Sequence, residues 1–383
     1  MKSLGVENFG PIQQGKVSFG DLTVLVGPQA TGKSLFLQLA KLMLDVGPIR
    51  REFKRFNIRW DRDVADFLAL YFGEGMSALW DPATVLKRDG QRFDLASHIR
   101  RGQRRSKGER MFYIPAQRVI TVRDGLTRPF TDYRTADPFV VREFSEKIHG
   151  MMQSELARAS ELFPQTGRLK SEYRRQIERH IFGRFRLRID KRGLQRRIVL
   201  AGGPNDQRIL PFLVWSAGQR EFVPLLLGLY WLLPPTRVSR RDQLQWVVLE
   251  EPEMGLHPSA IAVVMALVLE FLRRDYKVCI STHSPHVLDI AWAMNLFKRH
   301  GGQAKDVLRI FRLRSTPTVK QVAESALTKD YRVFYFCSDG TVKDITGLDP
   351  GSDDSGESGW GGLTEFSGRV GEVVAEVVGR SRA

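Results

Sequence analysis

A chain of 383 residues, 42% hydrophobic, is long enough for a sizeable core and for about two to three segments of domain size. Two cysteines, Cys279 and Cys337, exclude a disulfide framework, and no apolar run approaches a membrane span or, near Met1, a signal peptide's apolar stretch, so a soluble protein of the reducing cytoplasm is expected. The net charge of +16 gathers in arginine clusters at 50–55, 100–107, 174–175, 184–197 and 237–241, which favours a polyanionic partner, DNA or an acidic protein such as a DNA mimic, over a plain solvated surface.

Residues 1–44 read as strand, strand, loop and helix. The apolar run 21–26 enters Gly27-Pro28-Gln29-Ala30-Thr31-Gly32-Lys33-Ser34, a full match to the phosphate-cradling pattern G-x-x-x-x-G-K-S/T, and an apolar helix pattern follows at 35–44. Glycines let such a loop bend so that several backbone N–H groups and a helix N-terminus face the phosphates of ATP. Lys33 is then expected to reach the β- and γ-phosphates, and Ser34 to hold Mg²⁺. The charged, aromatic stretch 45–110 carries helical periodicity at 64–72 and is followed by a strand at 111–115. Long amphipathic helices are expected within 138–182. Neither insert sustains heptads, which argues against a coiled-coil arm. A hairpin is predicted from runs at 185–189 and 197–200 joined by a Lys-Arg-Gly turn.

The segment Ser216-Ala217-Gly218-Gln219 stands between the apolar run 210–214 and an apolar helix at 221–233. Taken alone it is an ordinary helix start with Ser216 as cap; its place before an acidic strand favours a phosphate-gripping role. That strand, 244–249, is apolar enough to be buried on both faces and ends in Glu250-Glu251. Glu250 is expected in the Mg²⁺ shell and Glu251 as the group that polarises the attacking water, although many nucleotide hydrolases carry Asp at the first position. Another buried strand at 276–282 ends at His283, a candidate γ-phosphate sensor; no spacing suggests a zinc site. Beyond it the pattern predicts a helix at 285–297, short strands at 308–313 and 333–336, a mobile Gly/Ser/Asp-rich loop at 349–362 and a last amphipathic helix at 363–378. Asp353-Asp354 reads as part of a solvated loop.

In this order the motifs resemble those of single-chain ABC-type ATPases of the group that includes the SMC and RecF head domains. Within that group the chain is most similar to the overcoming-lysogenisation-defect (OLD) type and to related ATPases of bacterial phage-defence operons. The resemblance is carried by Glu250-Glu251-Pro252-Glu253, Ser281-Thr282-His283-Ser284, Tyr113-Ile114-Pro115-Ala116-Gln117-Arg118 and the N-terminal strand at 4–12. It implies an α/β ABC-ATPase head fold, a P-loop mixed sheet with flanking helices and helical insertions. The implied division is an N-lobe at 1–44, a basic helical insertion at 45–184 interrupted by a core strand near 111–118, a C-lobe at 185–315 and C-terminal strands, loop and helix at 316–383. It further implies Mg²⁺-dependent ATP hydrolysis, with Gln117 as the glutamine that contacts metal and water. Ser216, Gly218 and Gln219 would grip the nucleotide held by another subunit, so a homo-oligomer, at least a dimer, is expected. The tail is too short and too poor in paired carboxylates for the Toprim nuclease of the OLD proteins. The expected role is therefore a sensor that controls a separate effector nuclease or toxin encoded nearby, with the PARIS type preferred over the Septu and retron-associated types. A RecF-like DNA-repair ATPase and a scaffold stapled by ATP are the alternatives.

Overall fold

The structure is a computed structural model; it describes residues 1–60, 63–101, 108–130, 134–192, 195–203, 208–234, 240–241 and 243–382. Arg104, Arg105, Lys107 and Arg237 of the expected basic clusters lie outside the described residues.

Its centre is a six-stranded sheet in the spatial order Val342–Asp344, Tyr331–Phe336, Leu22–Val26, Lys277–Ser281, Trp246–Glu250, Met111–Ile114. All neighbours run parallel except the edge strand Val342–Asp344. Parallel strands are covered on both faces and so read as continuous apolar runs, as Leu22–Val26 and Trp246–Glu250 do. The pleat divides them. Val24, Val26, Val247 and Leu249 enter one core, whereas Leu25, Val248 and Cys279 enter the other. Because the strands share a direction, their carboxyl ends lie along one edge of the sheet, where ligands of open α/β sheets bind. The fold is α/β, a mixed sheet carrying a phosphate loop, with helices on both faces.

Two antiparallel sheets flank this centre. Ser3–Phe9 pairs with Ile12–Ser18 on one side and with Trp80–Arg88 on the other, so a stretch read as helical supplies a nine-residue strand to the N-terminal sheet. Glu161–Phe163, Arg186–Asp190, Arg197–Ala201 and Ile209–Leu210 form the second. The expected hairpin is present there, with Leu187 opposite Leu200.

The helix after the phosphate loop, Lys33–Arg55, runs well past residue 44 and bends at Asp45. Pro48 has no N–H to give to the Leu44 carbonyl, and the Arg110 guanidinium donates to that carbonyl instead. Asp45 in turn accepts from the N–H groups of Arg110 and Met111 at 2.9 and 3.0 Å, which ties the bend to the edge strand Met111–Ile114.

Two C-terminal expectations are corrected. Residues 304–310 are a helix, Ala304–Ile310, rather than a strand, because Gln303 and Asp306 cap each other and start it. The stretch 349–362 is not a loose loop: it holds the short helix Ser355–Ser358, and Trp360 packs near Trp292 at 5.8 Å between ring centroids. Asp354 serves this local structure, accepting from Gly356 N–H and pairing with Lys343 at 3.0 Å. The last helix is Glu365–Arg382.

Candidate nucleotide site

The phosphate loop leaves the strand Leu22–Val26 at Gly27, whose φ is 143°. A Cβ there would lie 2.3 Å from the Phe336 carbonyl oxygen, so only glycine allows the chain to turn this close to the neighbouring strand. Pro28, Gln29 and Ala30 are exposed, and Thr31 Oγ1 donates to Pro28 O at 2.9 Å. Gly32, at φ 93°, precedes the helix, so Lys33 and Ser34 open its first turn. Lys33 is 6% exposed, and its ammonium donates to Gly27 O at 2.8 Å and Pro28 O at 2.6 Å. Burial pushes its pKa down to about 8, opposed by the charge of Glu251.

Glu250 is 2% exposed at the end of Trp246–Glu250. Its Oε2 accepts from Ala116 N–H at 3.1 Å, whereas Oε1 is buried and closes no hydrogen bond. Burial raises its pKa; the Ser34 hydroxyl, the Tyr113 phenol and the Ala116 N–H act against that. A buried carboxylate oxygen that closes no hydrogen bond, with the hydroxyls of Ser34 and Tyr113 close by, belongs to the hard oxygen donor set that suits Mg²⁺. The residues present therefore fit this metal.

Glu251 has φ 42°, a conformation that a glutamate adopts only under constraint, and its N–H donates to Ser281 O at 2.9 Å. This turn brings its carboxylate 3.9 Å from His283 Nε2, with both side chains about a third exposed. His283 is placed in turn by Glu253, whose Oε1 accepts from His283 N–H at 2.6 Å and from the Thr282 hydroxyl at 2.8 Å. Glu253 was quoted in the sequence motif without a role; here it aligns the two strand ends.

Gln117 is exposed on the turn Ala116–Thr121, and it is the backbone of this segment, at Ala116, that reaches Glu250. Its neighbour Arg118 was not singled out from sequence. It is fully buried and donates to Glu250 O at 2.9 Å, Glu251 O at 3.1 Å and Glu221 O at 3.3 Å. One guanidinium thus joins the acidic strand end to the helix Ala217–Leu232. The signal that could have found it is an arginine within a turn of the end of a buried strand, since a charge held there needs a full set of acceptors.

Ser216 caps the helix Ala217–Leu232: its Oγ accepts from Gln219 N–H at 3.3 Å, and Gln219 Oε1 accepts from Ser216 N–H at 3.1 Å. Gln219 also reaches Ile181 O at 3.4 Å. Gly218 backs onto the turn after Glu251, where a Cβ would lie 2.6 Å from Gly255 O. The phosphate loop, Glu250, Glu251, His283 and the Ala116–Gln117 turn thus share one sheet edge. Ser216 and Gln219 bond to each other, Gln219 to Ile181, and Gly218 packs on Gly255, while Ser216 is exposed beside Leu213 and Val214, themselves 71% and 61% exposed.

A protein-family profile described as "AAA domain, putative AbiEii toxin, Type IV TA system" matches residues 22–289. The chain belongs to this AAA family. The AAA domain so defined takes in the phosphate loop, the capped serine segment, the acidic strand end and His283, and membership implies nucleotide use, typically with Mg²⁺. Among solved structures, the SMC head domain from Thermotoga maritima matches at 13% identity, over 75% of this chain and 90% of that chain, with a TM-score of 0.36. An SMC head bound to the C-winged helix domain of ScpA matches at 12% identity, over 90% and 96%, with a TM-score of 0.38. A dimeric bacterial ABC transporter cassette matches at 12% identity, over 89% and 96%, with a TM-score of 0.34. No curated protein matches the chain. Among the described residues no helix is long and apolar enough to cross a membrane.

Proposed function

We propose that this AAA protein binds and slowly hydrolyses ATP with Mg²⁺, at a site that two copies complete together, and that it uses the nucleotide state to control a separate effector. The observation that carries the chemistry is the unpartnered, buried Oε1 of Glu250 beside Ser34, one residue before a glutamate held at positive φ within reach of His283. The N–H groups of residues 29–34 and the ammonium of Lys33 hold the phosphates. Ser34 and Glu250 fill protein positions in the metal shell, with Gln117 at its rim. Mg²⁺ held there would supply positive charge against the phosphates of ATP. Glu251 orients the attacking water and accepts its proton, and His283 donates a hydrogen bond to the γ-phosphate. Ser216, Gly218 and Gln219 of a second copy close the site.

A sensor in phage defence that restrains or releases a nuclease or toxin encoded nearby is the role this supports best, and the toxin–antitoxin wording of the family description is in keeping with it. A partner that bound the ATP and hydrolysed states equally would learn nothing from the site, so the effector must contact a surface that differs between them. The test is ATP binding and turnover by the wild-type protein and by Lys33→Ala, then co-expression with the neighbouring gene product under phage challenge. Resistance or toxicity that needs both Lys33 and the neighbour is expected. Toxicity of this chain alone overturns the effector role, and undiminished ATP affinity in folded Lys33→Ala overturns the site. A RecF-like repair ATPase would instead protect against DNA damage without the neighbour, and an ATP-stapled scaffold would bind ATP without turnover.

A further inference from the structure

The sheet that leads into Ser216 carries an arginine face. Between residues 184 and 197 the sequence holds six arginines and one lysine against one aspartate. On the strand Arg186–Asp190, Leu187 and Ile189 are buried, so the pleat turns Arg186, Arg188 and Asp190 outward, and the register sets Arg197 across from Asp190. Arg184, Arg192 and Arg196 are exposed at the ends of the hairpin. Glu161 on the next strand pairs with Arg186 at 3.2 Å and Arg188 at 3.7 Å, and Asp190 pairs with Arg192 at 2.9 Å. Two carboxylates at a solvated surface offset only part of this charge.

We propose that this face binds the phosphate backbone of duplex DNA. Beside the arginines, the outward apolar positions are Val199 and Ala201, 5% and 4% exposed, and the half-buried Ile209 across from Ala201; one aliphatic side chain at the edge is a poor core for a protein interface, which needs several large apolar anchors, and this argues against an acidic protein. A single strand is held by bases stacked on aromatic rings, and among the described residues the outward strand positions carry none; Phe185, beside Arg184 at the end of the hairpin, is half-buried on the opposite side of the pleat. Arginines two residues apart on a strand stand roughly 7 Å apart, a ladder of charge suited to successive phosphates and indifferent to sequence.

The sheet is also joined to both halves of the nucleotide site. Ile198 N–H donates to Gly125 O at 2.7 Å, in the hairpin that follows the Gln117–Arg118 turn. Leu200 pairs with Leu210, whose carbonyl accepts from Trp215 Nε1 at 2.9 Å, one residue before Ser216. DNA on this face therefore bears on the segments that flank the nucleotide. The proposal rests on the reading of this chain as a nucleotide-driven sensor, to which it adds the ligand sensed, but the DNA contact itself needs no nucleotide.

The experiment measures fluorescence anisotropy of a labelled short DNA duplex against the full chain over a salt series, without ATP. The wild-type protein and Lys33→Ala are expected to bind alike, with affinity falling linearly on logarithmic axes as salt rises. In Arg188→Ala/Arg192→Ala/Arg197→Ala the slope should fall by about 1 for each arginine removed, with about tenfold or more loss of affinity at moderate salt. The matching triple lysine variant should recover most of both, which separates lost charge from lost folding. A wild-type protein that ignores duplex DNA, that prefers single strands, or that is captured only by polyglutamate overturns the proposal, as does a triple alanine variant of unchanged slope. Loss of ATP binding in Lys33→Ala with intact DNA binding leaves it standing, so the two readings fail separately.

Discussion

Lys33 is the residue whose surroundings make the sharpest prediction. Its ammonium is enclosed by the loop it serves, donating to Gly27 O and Pro28 O, and burial lowers its pKa to about 8. Phosphate binding needs the protonated form. ATP affinity should therefore be level below about pH 8 and fall by about tenfold for each further unit, since above the pKa of the free protein each binding event must also take up a proton. Calorimetric titrations from neutral to alkaline pH check this; an affinity that stays flat through about pH 9.5 would mean that the loop stabilises the ammonium more than its burial implies. For Glu251 the proposed role lies in the chemical step and not in binding. Glutamine preserves its shape and its place beside His283, so Glu251→Gln should keep ATP affinity and lose turnover by about 10²- to 10⁴-fold. Turnover at the wild-type rate would place the base elsewhere. That these residues meet at one sheet edge was legible because phosphate loops and strand-end carboxylates are local patterns. Arg118 was not, since what makes it matter is three carbonyls from distant parts of the chain converging on one guanidinium, and no window of sequence contains them.

The helix Ala217–Leu232 shows why a motif can serve two ends at once. Ser216 is a good N-cap and, with Gln219, closes a capping box, so the bland role is satisfied in full within the chain. Aspartate caps a helix as well as serine does, whereas its charge would repel a γ-phosphate presented by another copy. Ser216→Asp should thus keep thermal stability within about 0.5 kcal/mol of wild type and abolish ATP turnover. A variant that is stable and fully active would reduce Ser216 to a cap. Elements of the central sheet were readable because strands buried on both faces are unbroken apolar runs. Trp80–Arg88 escaped notice because it buries only Thr84 and Leu86 and otherwise looks like charged connecting chain; its pairing with Ser3–Phe9 is non-local. The helix Ala304–Ile310 was mistaken because Leu308, Ile310, Phe311 and Leu313 make a short apolar run that a strand and a helix share, while the deciding signal, the reciprocal cap at Gln303 and Asp306, lies upstream of that run.

For the molecule as a whole, the arrangement of these two segments decides how many copies a working site needs. Arg118 fixes the helix Ala217–Leu232 to the acidic strand end through Glu221, and Gly218 sits against Gly255, so the capped serine cannot swing freely toward the phosphate loop of its own chain. Each chain then offers one phosphate loop and one exposed serine segment with Leu213 and Val214 uncovered beside it. A second copy that brings its serine segment to the loop supplies both the missing phosphate contacts and a cover for that apolar pair, and closed symmetry repeats the contact. Mixing Lys33→Ala with Ser216→Asp distinguishes this from a site contained in one chain. In an equal mixture a site is intact only where a normal loop meets a normal serine segment. That combination arises at about one interface in four, whether the assembly is a two-fold dimer or a cyclic ring, because each interface draws its two halves independently. Neither variant alone should turn over ATP, and the mixture should recover about a quarter of the wild-type rate when exchange of subunits is complete. Absence of any recovery in oligomers verified to be mixed would confine the site to a single chain.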